Sequence, residues 1–285
     1  MLEPYYNMNH ERNVGICYWG AAEYWGESNG WPKKGWNYSF FGHTMRPYPQ
    51  AYLIRSAFMP DEPLVRIGVI DSKGGESVSW NDVIVGRPSI LDHWNFENGS
   101  TQNVVTYTNA HTVELIVNGK SIGTKTNNGT RKDQRNSILW QDVSYGEGGT
   151  IEAVARDEAG KTVARHKMET AGEAVALRIE PESDTWKADG MDLLYLNITA
   201  VDRKGRTVPG FNEPLTIETE GAATLLAIDN GDHYTDDLFL DVNTKPMLQG
   251  RMQAIMRSKT ADGRVIVKAK AGSLKQIYKT KTSAQ

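Results

Sequence analysis

Val113-Glu114-Leu115-Ile116-Val117-Asn118-Gly119-Lys120-Ser121-Ile122-Gly123 decides how the middle of this chain folds. Val113, Leu115 and Val117 recur at every second position, so one face of an extended strand carries all three. Asn-Gly then supplies the positive φ angles of a tight type I′ turn, and the strand doubles back as a hairpin. On either side of it, short runs with the same alternation fall at 65–70, 103–108, 112–117, 121–125, 137–143 and 150–157, and Asp71-Ser72-Lys73-Gly74-Gly75 marks a turn. Strands this short at this spacing predict an antiparallel sandwich of immunoglobulin type.

A second set of strands follows Thr170-Ala171-Gly172-Glu173. Leu194, Leu196, Ile198 and Ala200 alternate with Tyr195, Asn197 and Thr199, and Asp202-Arg203-Lys204-Gly205-Arg206 closes that strand with a turn. Further runs at 175–180, 215–219, 224–228, 250–257 and 264–271 are enough for a second sandwich of about 110 residues, near the size of that fold.

Before about residue 60 the composition is different. Trp19, Tyr24, Trp25, Trp31, Trp36, Tyr38, Phe40, Phe41, Tyr48 and Tyr52 crowd into it, although aromatics are 9% of the whole chain. Val14-Gly15-Ile16-Cys17-Tyr18-Trp19 is a short apolar run, in which Cys17 is expected to be a small buried hydrophobe, and Glu23 and Glu27 follow it. Residues 26–42 lack periodicity and predict a long loop. Residues 49–58 predict a helix that begins at Pro49, stops at Pro60 and sets Tyr52, Ile54, Ala57 and Phe58 on one face. Strand, loop and helix make one unit of a (β/α) barrel, and a single strand closes no barrel. The expected fold is therefore mainly β: two immunoglobulin-like antiparallel β-sandwiches, at 61–170 and 171–285, preceded at 1–60 by the last strand-loop-helix unit of a (β/α) barrel.

Composition narrows the function. The net charge of −3, with both signs interspersed, argues against nucleic acid as a partner. No stretch reaches the roughly 18 apolar residues of a membrane span. With one cysteine there is no internal disulfide, and the compartment stays open: a periplasmic or extracellular location would require an export signal upstream of Met1. His10, His93, His111, His166 and His233 have no ligand spacing, and Asp229, Asp232, Asp236 and Asp237 match no calcium loop, so neither metal nor cofactor is expected.

Taken in order, these strings resemble the carboxyl-terminal part of bacterial glycoside hydrolase family 2 enzymes of the β-galactosidase type. In that family the last barrel strand runs approximately Gly-x-x-x-Trp-x-x-x-Asp-Tyr-x-Gly-Glu, matched here by Gly15, Trp19, Tyr24, Gly26 and Glu27, with Glu23 in place of the aspartate. Tyr52, Ser56 and Phe58 match the barrel-closing helix. Val105-Thr106-Tyr107-Thr108-Asn109, Leu139-Trp140 and Gly149-Thr150-Ile151-Glu152-Ala153 match the sandwich that follows, and Ala188-Asp189-Gly190 and Asp229-Asn230-Gly231-Asp232 match the final module.

Retaining glycoside hydrolysis uses two carboxyl groups about 5 Å apart. The resemblance implies that both glutamates lie on earlier barrel strands, so no catalytic residue is assigned here and the chain alone is expected to be inactive. It also implies that Trp19 stacks on a sugar ring, with Glu23 and Trp25 as further substrate-binding candidates. Glu27, Trp31, Trp36, His43 and Arg46 are expected at the rim or in packing. The implied partners are a β-galactoside-type glycan, the missing barrel domain and, for the intact enzyme, a further copy in a homo-oligomer. The alternative is a non-catalytic carbohydrate-binding or structural β-sandwich module; polysaccharide binding would need exposed, coplanar aromatics on a sandwich face, and the spacing of Trp80, Trp94, Trp140 and Trp186 predicts no common one.

Overall fold

The computed structural model describes residues 17, 19–28, 35–36, 39–72, 74–80, 83–87, 89–127, 135–232 and 234–283, with backbone alone over 76–80 and 83–87. They fall into two compact units, one of described residues up to Thr170 and one from Ala171 onward. The expected apolar strand before Trp19 lies largely outside the described residues, which include no barrel strand.

The first unit contains β1 (Tyr24–Trp25), β2 (Gly35–Trp36), α1 (Ala51–Phe58), β3 (Val65–Ile70), β4 (Glu76–Trp80), β5 (Val83–Arg87), β6 (Ile90–Leu91), β7 (Thr101–Thr108), β8 (Thr112–Val117), β9 (Lys120–Thr126), β10 (Ser137–Ser144), β11 (Thr150–Arg156) and β12 (Thr162–Glu169). Two four-stranded antiparallel sheets, in the orders β10-β7-β3-β6 and β12-β11-β8-β9, share one core. Ile67, Val69, Val104 and Trp140 from the first sheet meet Val113, Leu115, Ile151 and Ala153 from the second. Burying a large apolar side chain contributes roughly 1.5–3 kcal/mol, so this interface supplies most of the unit's cohesion. The ribbons β1–β2 and β4–β5 stand apart from both sheets.

Local geometry follows the sequence closely. At the β8–β9 hairpin Asn118 has φ 50° and Gly119 φ 77°, as a type I′ turn requires. The Asn118 side chain also accepts from Thr150 N and donates to Gly148 O, which clips the neighbouring loop to the turn. In β10 the register against β7 shifts between Trp140 and Val143, and Asp142 takes φ 53°. That bulge lets Ile138, Trp140 and Val143 all face the core despite their uneven spacing.

Helix α1 lies on the outer side of the first sheet. Tyr52 and Leu53 pack against Ile90, Val105 and Tyr107, and Ser56 is buried. Of the face expected from Tyr52, Ile54, Ala57 and Phe58, Tyr52 packs inward while Phe58 is exposed, so the buried stripe is turned toward Leu53 and Ser56. The link from the helix into β3 is pinned by Asn109. Its amide donates to Met59 O, Pro60 O and Glu62 O, and its oxygen accepts from Leu64 N.

The second unit contains β13 (Ala176–Pro181), β14 (Leu193–Val201), β15 (Pro214–Gly221), β16 (Ala223–Asp229), β17 (Thr244–Pro246), β18 (Arg251–Ser258), β19 (Gly263–Ala271) and β20 (Leu274–Thr282). Its sheets, β13-β14-β18-β16 and β17-β15-β19-β20, close on Leu194, Leu196, Ile198, Met252, Ala254 and Met256 from one side and Leu215, Ile217, Val265 and Val267 from the other. Asp202 fixes the turn after β14. Its carboxylate takes the Gly172, Lys204 and Arg206 backbone N–H groups and pairs with the Arg206 guanidinium, which holds its pKa well below the usual carboxylate range.

Cys17 is exposed, contrary to the expectation of a buried thiol. An apolar run buries its residues only where other elements cover both faces, and Cys17 and Trp19 are open to solvent.

His166, on the edge strand β12, bridges the two sheets of the first unit by accepting the Ile67 N–H at Nδ1, 3.2 Å away. Only a neutral ring can accept there. Burial, reinforced by the Arg66 charge and opposed by Asp92, lowers its pKa to about 4. Between its unfolded value near 6.5 and about 4 the unfolded chain binds a proton that the native chain refuses, so stability falls as pH drops through that window and is complete above it. Urea unfolding of the native chain is expected to lose up to about 3 kcal/mol from this group between pH 6.5 and 4. His166→Asn, which keeps an acceptor, should flatten that dependence; an unchanged slope would show that His166 does not cause it.

Candidate functional site

The aromatic stretch before residue 60 folds as a small layered patch. Residues 39–42 lie between two other segments: Phe40 and Phe41 donate to Ala21 O, Glu23 N donates to Phe41 O, and Tyr48 N donates to Phe40 O. On one side of this patch β1 pairs with β2, Tyr24 opposite Trp36 and Trp25 opposite Gly35. Successive side chains of an extended segment point to opposite faces, so Glu23 and Trp25 share one face and Tyr24 takes the other.

On the Glu23 face the carboxylate is sealed in, with the residue 5% exposed. Tyr48 donates its hydroxyl to Glu23 Oε2 at 3.0 Å, and His43 Nδ1 lies 3.6 Å from the same oxygen. Gly42 makes room for this: a Cβ there would stand 3.2 Å from the Tyr48 hydroxyl and 3.7 Å from Glu23 Oε2. Trp25 rests on His43, ring centroids 4.4 Å apart and tilted by 53°, and is partly open to solvent. The buried carboxylate thus fixes an imidazole, and the imidazole supports an indole.

On the other face, Trp19 is 72% exposed. Its indole N–H donates to the Tyr24 hydroxyl at 2.9 Å, and that hydroxyl donates to Glu27. The Glu27 carboxylate, as acceptor, pushes the tyrosine pKa up. The contact orients Trp19 while leaving its ring face free, and an exposed flat apolar surface with an anchored polar edge suits stacking against another flat apolar face.

Of the three substrate-binding candidates, Trp19 and Trp25 present surface and Glu23 does not. Tyr24, Tyr48 and the His43 contact were not assigned from sequence, since hydroxyl partners across a loop have no spacing signature. Arg46 does not face this cluster: its guanidinium pairs with Asp92 beyond β6. Trp31 lies outside the described residues.

Elsewhere Trp94, Trp140 and Trp186 are structural: each is at most 3% exposed. Trp140 donates to Thr106 Oγ1 and Trp186 to Asp192 O. The Trp80 side chain lies outside the described residues. Asp229 and Asp232 turn their oxygens to Gly231 N and Tyr234 N, and among the described residues no group of three or more His, Cys, Asp or Glu side chains could hold a metal ion.

Residues 177–278 match the glycoside hydrolase family 2 C-terminal domain 5, and residues 99–164 match a domain of unknown function. The chain is 29% identical over 245 residues to the β-galactosidase BoGH2A of Bacteroides ovatus, covering 83% of this chain and 27% of that protein. It is 30% identical over 198 residues to a β-glucuronidase of Formosa agariphila, covering 67% of this chain and 19% of that one. A glycosyl hydrolase family 2 member from Bacteroides cellulosilyticus superposes with a TM-score of 0.82 at 27% identity, over 94% of this chain and 35% of its own. The chain therefore spans about a quarter of the length of the curated relatives it matches.

Trp19→Ala is expected to change unfolding free energy by less than about 0.5 kcal/mol, because its ring is already in water. Glu23→Ala, which removes the buried acceptor of the Tyr48 hydroxyl, should cost about 1–3 kcal/mol. Equal losses in chemical denaturation would contradict this division between an open surface and its buried support. By sequence and by fold alike, the chain is a carboxyl-terminal portion of the glycoside hydrolase family 2 architecture.

Proposed function

We propose that this chain is the carboxyl-terminal part of a retaining glycosidase acting on β-galactosides or related β-glycosides. In this reading residues 1–60 complete that enzyme's (β/α) barrel, and the sandwiches at 61–170 and 171–285 brace it. The observation that supports it most is the coincidence of an open, edge-anchored Trp19 with similarity to a β-galactosidase over most of the chain.

The chemistry assigns distinct roles. Trp19 offers its ring to the C–H face of a pyranose, an apolar contact that excludes water from one side of the sugar. Trp25 presents a second, smaller surface on the opposite face of the patch, supported from beneath by His43 and Glu23. Hydrolysis with retention needs one carboxyl to protonate the leaving oxygen and another, about 5 Å away, to attack the anomeric carbon. Glu23 is sealed by Tyr48 and His43, and Glu27 accepts the Tyr24 hydroxyl, so neither is placed for those steps. The acid and the nucleophile come from barrel strands outside this chain. Trp94, Trp140 and Trp186 are spent on the sandwich cores, which counts against a polysaccharide-binding module built on a row of them.

Purified chain incubated with aryl β-galactosides and aryl β-glucuronides should release no aryl alcohol above a buffer control. Turnover that survives removal of host glycosidases, and that disappears in Glu23→Gln or Glu27→Gln, would overturn the assignment of the catalytic pair to another segment.

A further inference from the structure

The outer face of one sheet in the second unit carries a band of cations. In β19, Val265, Val267, Ala269 and Ala271 point into the core, so Arg264, Ile266, Lys268 and Lys270 point outward. Strand β20 pairs with it residue for residue: Lys281 opposite Arg264, Lys279 opposite Ile266, Ile277 opposite Lys268 and Lys275 opposite Lys270. Two of these pairs set like charges directly across the ladder, which destabilises a sheet.

Carboxylates meet the band along its β15 side and at one end. Strand β15 brings Glu218 and Glu220, both acting on Lys268, and Glu220 is its ion-pair partner. Asp184 stands at one end, in a groove that Trp186, Arg264, Lys279 and Lys281 also line. Among the described residues Arg264, Lys270, Lys275, Lys279 and Lys281 form no ion pair. Lysines on an edge strand keep sheets from pairing edge to edge, and that explains charge on β20. It does not explain Arg264 and Lys270 on β19, which is interior to the sheet.

We propose that this face binds an acidic polysaccharide, with uronate carboxylates meeting Arg264, Lys270, Lys275, Lys279 and Lys281. From Lys275 to Lys281 the strip runs about 20 Å, at roughly 3.3 Å per residue, and its cations lie in a line along it. A linear polyanion matches that shape, whereas a small anion would engage only one or two of the cations. Tyr278 packs against the core, so the band offers no open ring for a nucleobase to stack on. Its apolar members, Ile266 and Ile277, lie within the strands and form no projecting loop to enter a lipid surface. The inference is independent of the sugar surface around Trp19: it concerns a different unit and an anionic polymer.

The test is affinity electrophoresis of the full chain through gels containing polygalacturonate or neutral galactan, at low and raised salt. Binding to single-stranded DNA and to phosphatidylserine vesicles is measured in parallel. Polygalacturonate should retard the chain and galactan should not, and salt should abolish the retardation as the charges are screened. Lys279→Glu/Lys281→Glu should weaken it about tenfold or more. Folding is expected to survive, since Glu at 281 would face Arg264 across the ladder, and circular dichroism checks it. Lys161→Glu, in the first unit, should bind as the native chain does. No retardation, retardation that the double variant keeps, or tighter binding to DNA or vesicles would overturn the proposal.

Discussion

A β-strand shows successive side chains to opposite faces, so a sheet that seals one face must keep its apolar residues in phase along every strand. Each unit of this chain meets that constraint twice, once per sheet, and the two sealed faces close on each other. Where the phase would slip, the backbone adjusts. The bulge before Val143 returns that residue to the core, and a second register shift in β16 separates Leu225 from Ala227. At the turns, Asn109 and Asn118 tie loops to strand ends through their side-chain amides, and Asp202 does so through its carboxylate.

The strands that sequence reading recovers best are those whose alternation is strong: β8, β11, β14 and β19 all place aliphatic residues at every second position. Those it misses are edges or short pieces. Strand β12 reads Thr-Val-Ala-Arg-His-Lys-Met-Glu, and β20 carries Lys275, Lys279 and Lys281. An edge strand has one neighbour and a wetter outer face, so its apolar signal is diluted by the charges that protect it. The two-residue β6 and three-residue β17 are too short to show a period. The helix and the inward Tyr52 were visible through Pro49, Pro60 and the apolar spacing, but not the inward Leu53 or the exposed Phe58, because the sheet that receives the helix is far away in sequence.

The candidate site was partly visible for the same reason. Trp19, Glu23 and Trp25 stand out by residue type, yet their accessibility depends on Tyr48 and His43, which reach Glu23 only after the chain has turned at Gly42. The result is a division of labour within a few residues: a buried carboxylate holds the support, and exposed indoles form the surface. Trp94, Trp140 and Trp186 are the same residue type with the opposite role, since each is enclosed by a sandwich core.

That separation is the central claim, and oxidative footprinting of the tryptophans, mapped by mass spectrometry on the native chain, tests it most directly. Trp19 and Trp25 are expected to be oxidised first, with Trp94, Trp140 and Trp186 protected until the chain unfolds. Oxidation of the core tryptophans at rates comparable to Trp19 under native conditions would contradict the account.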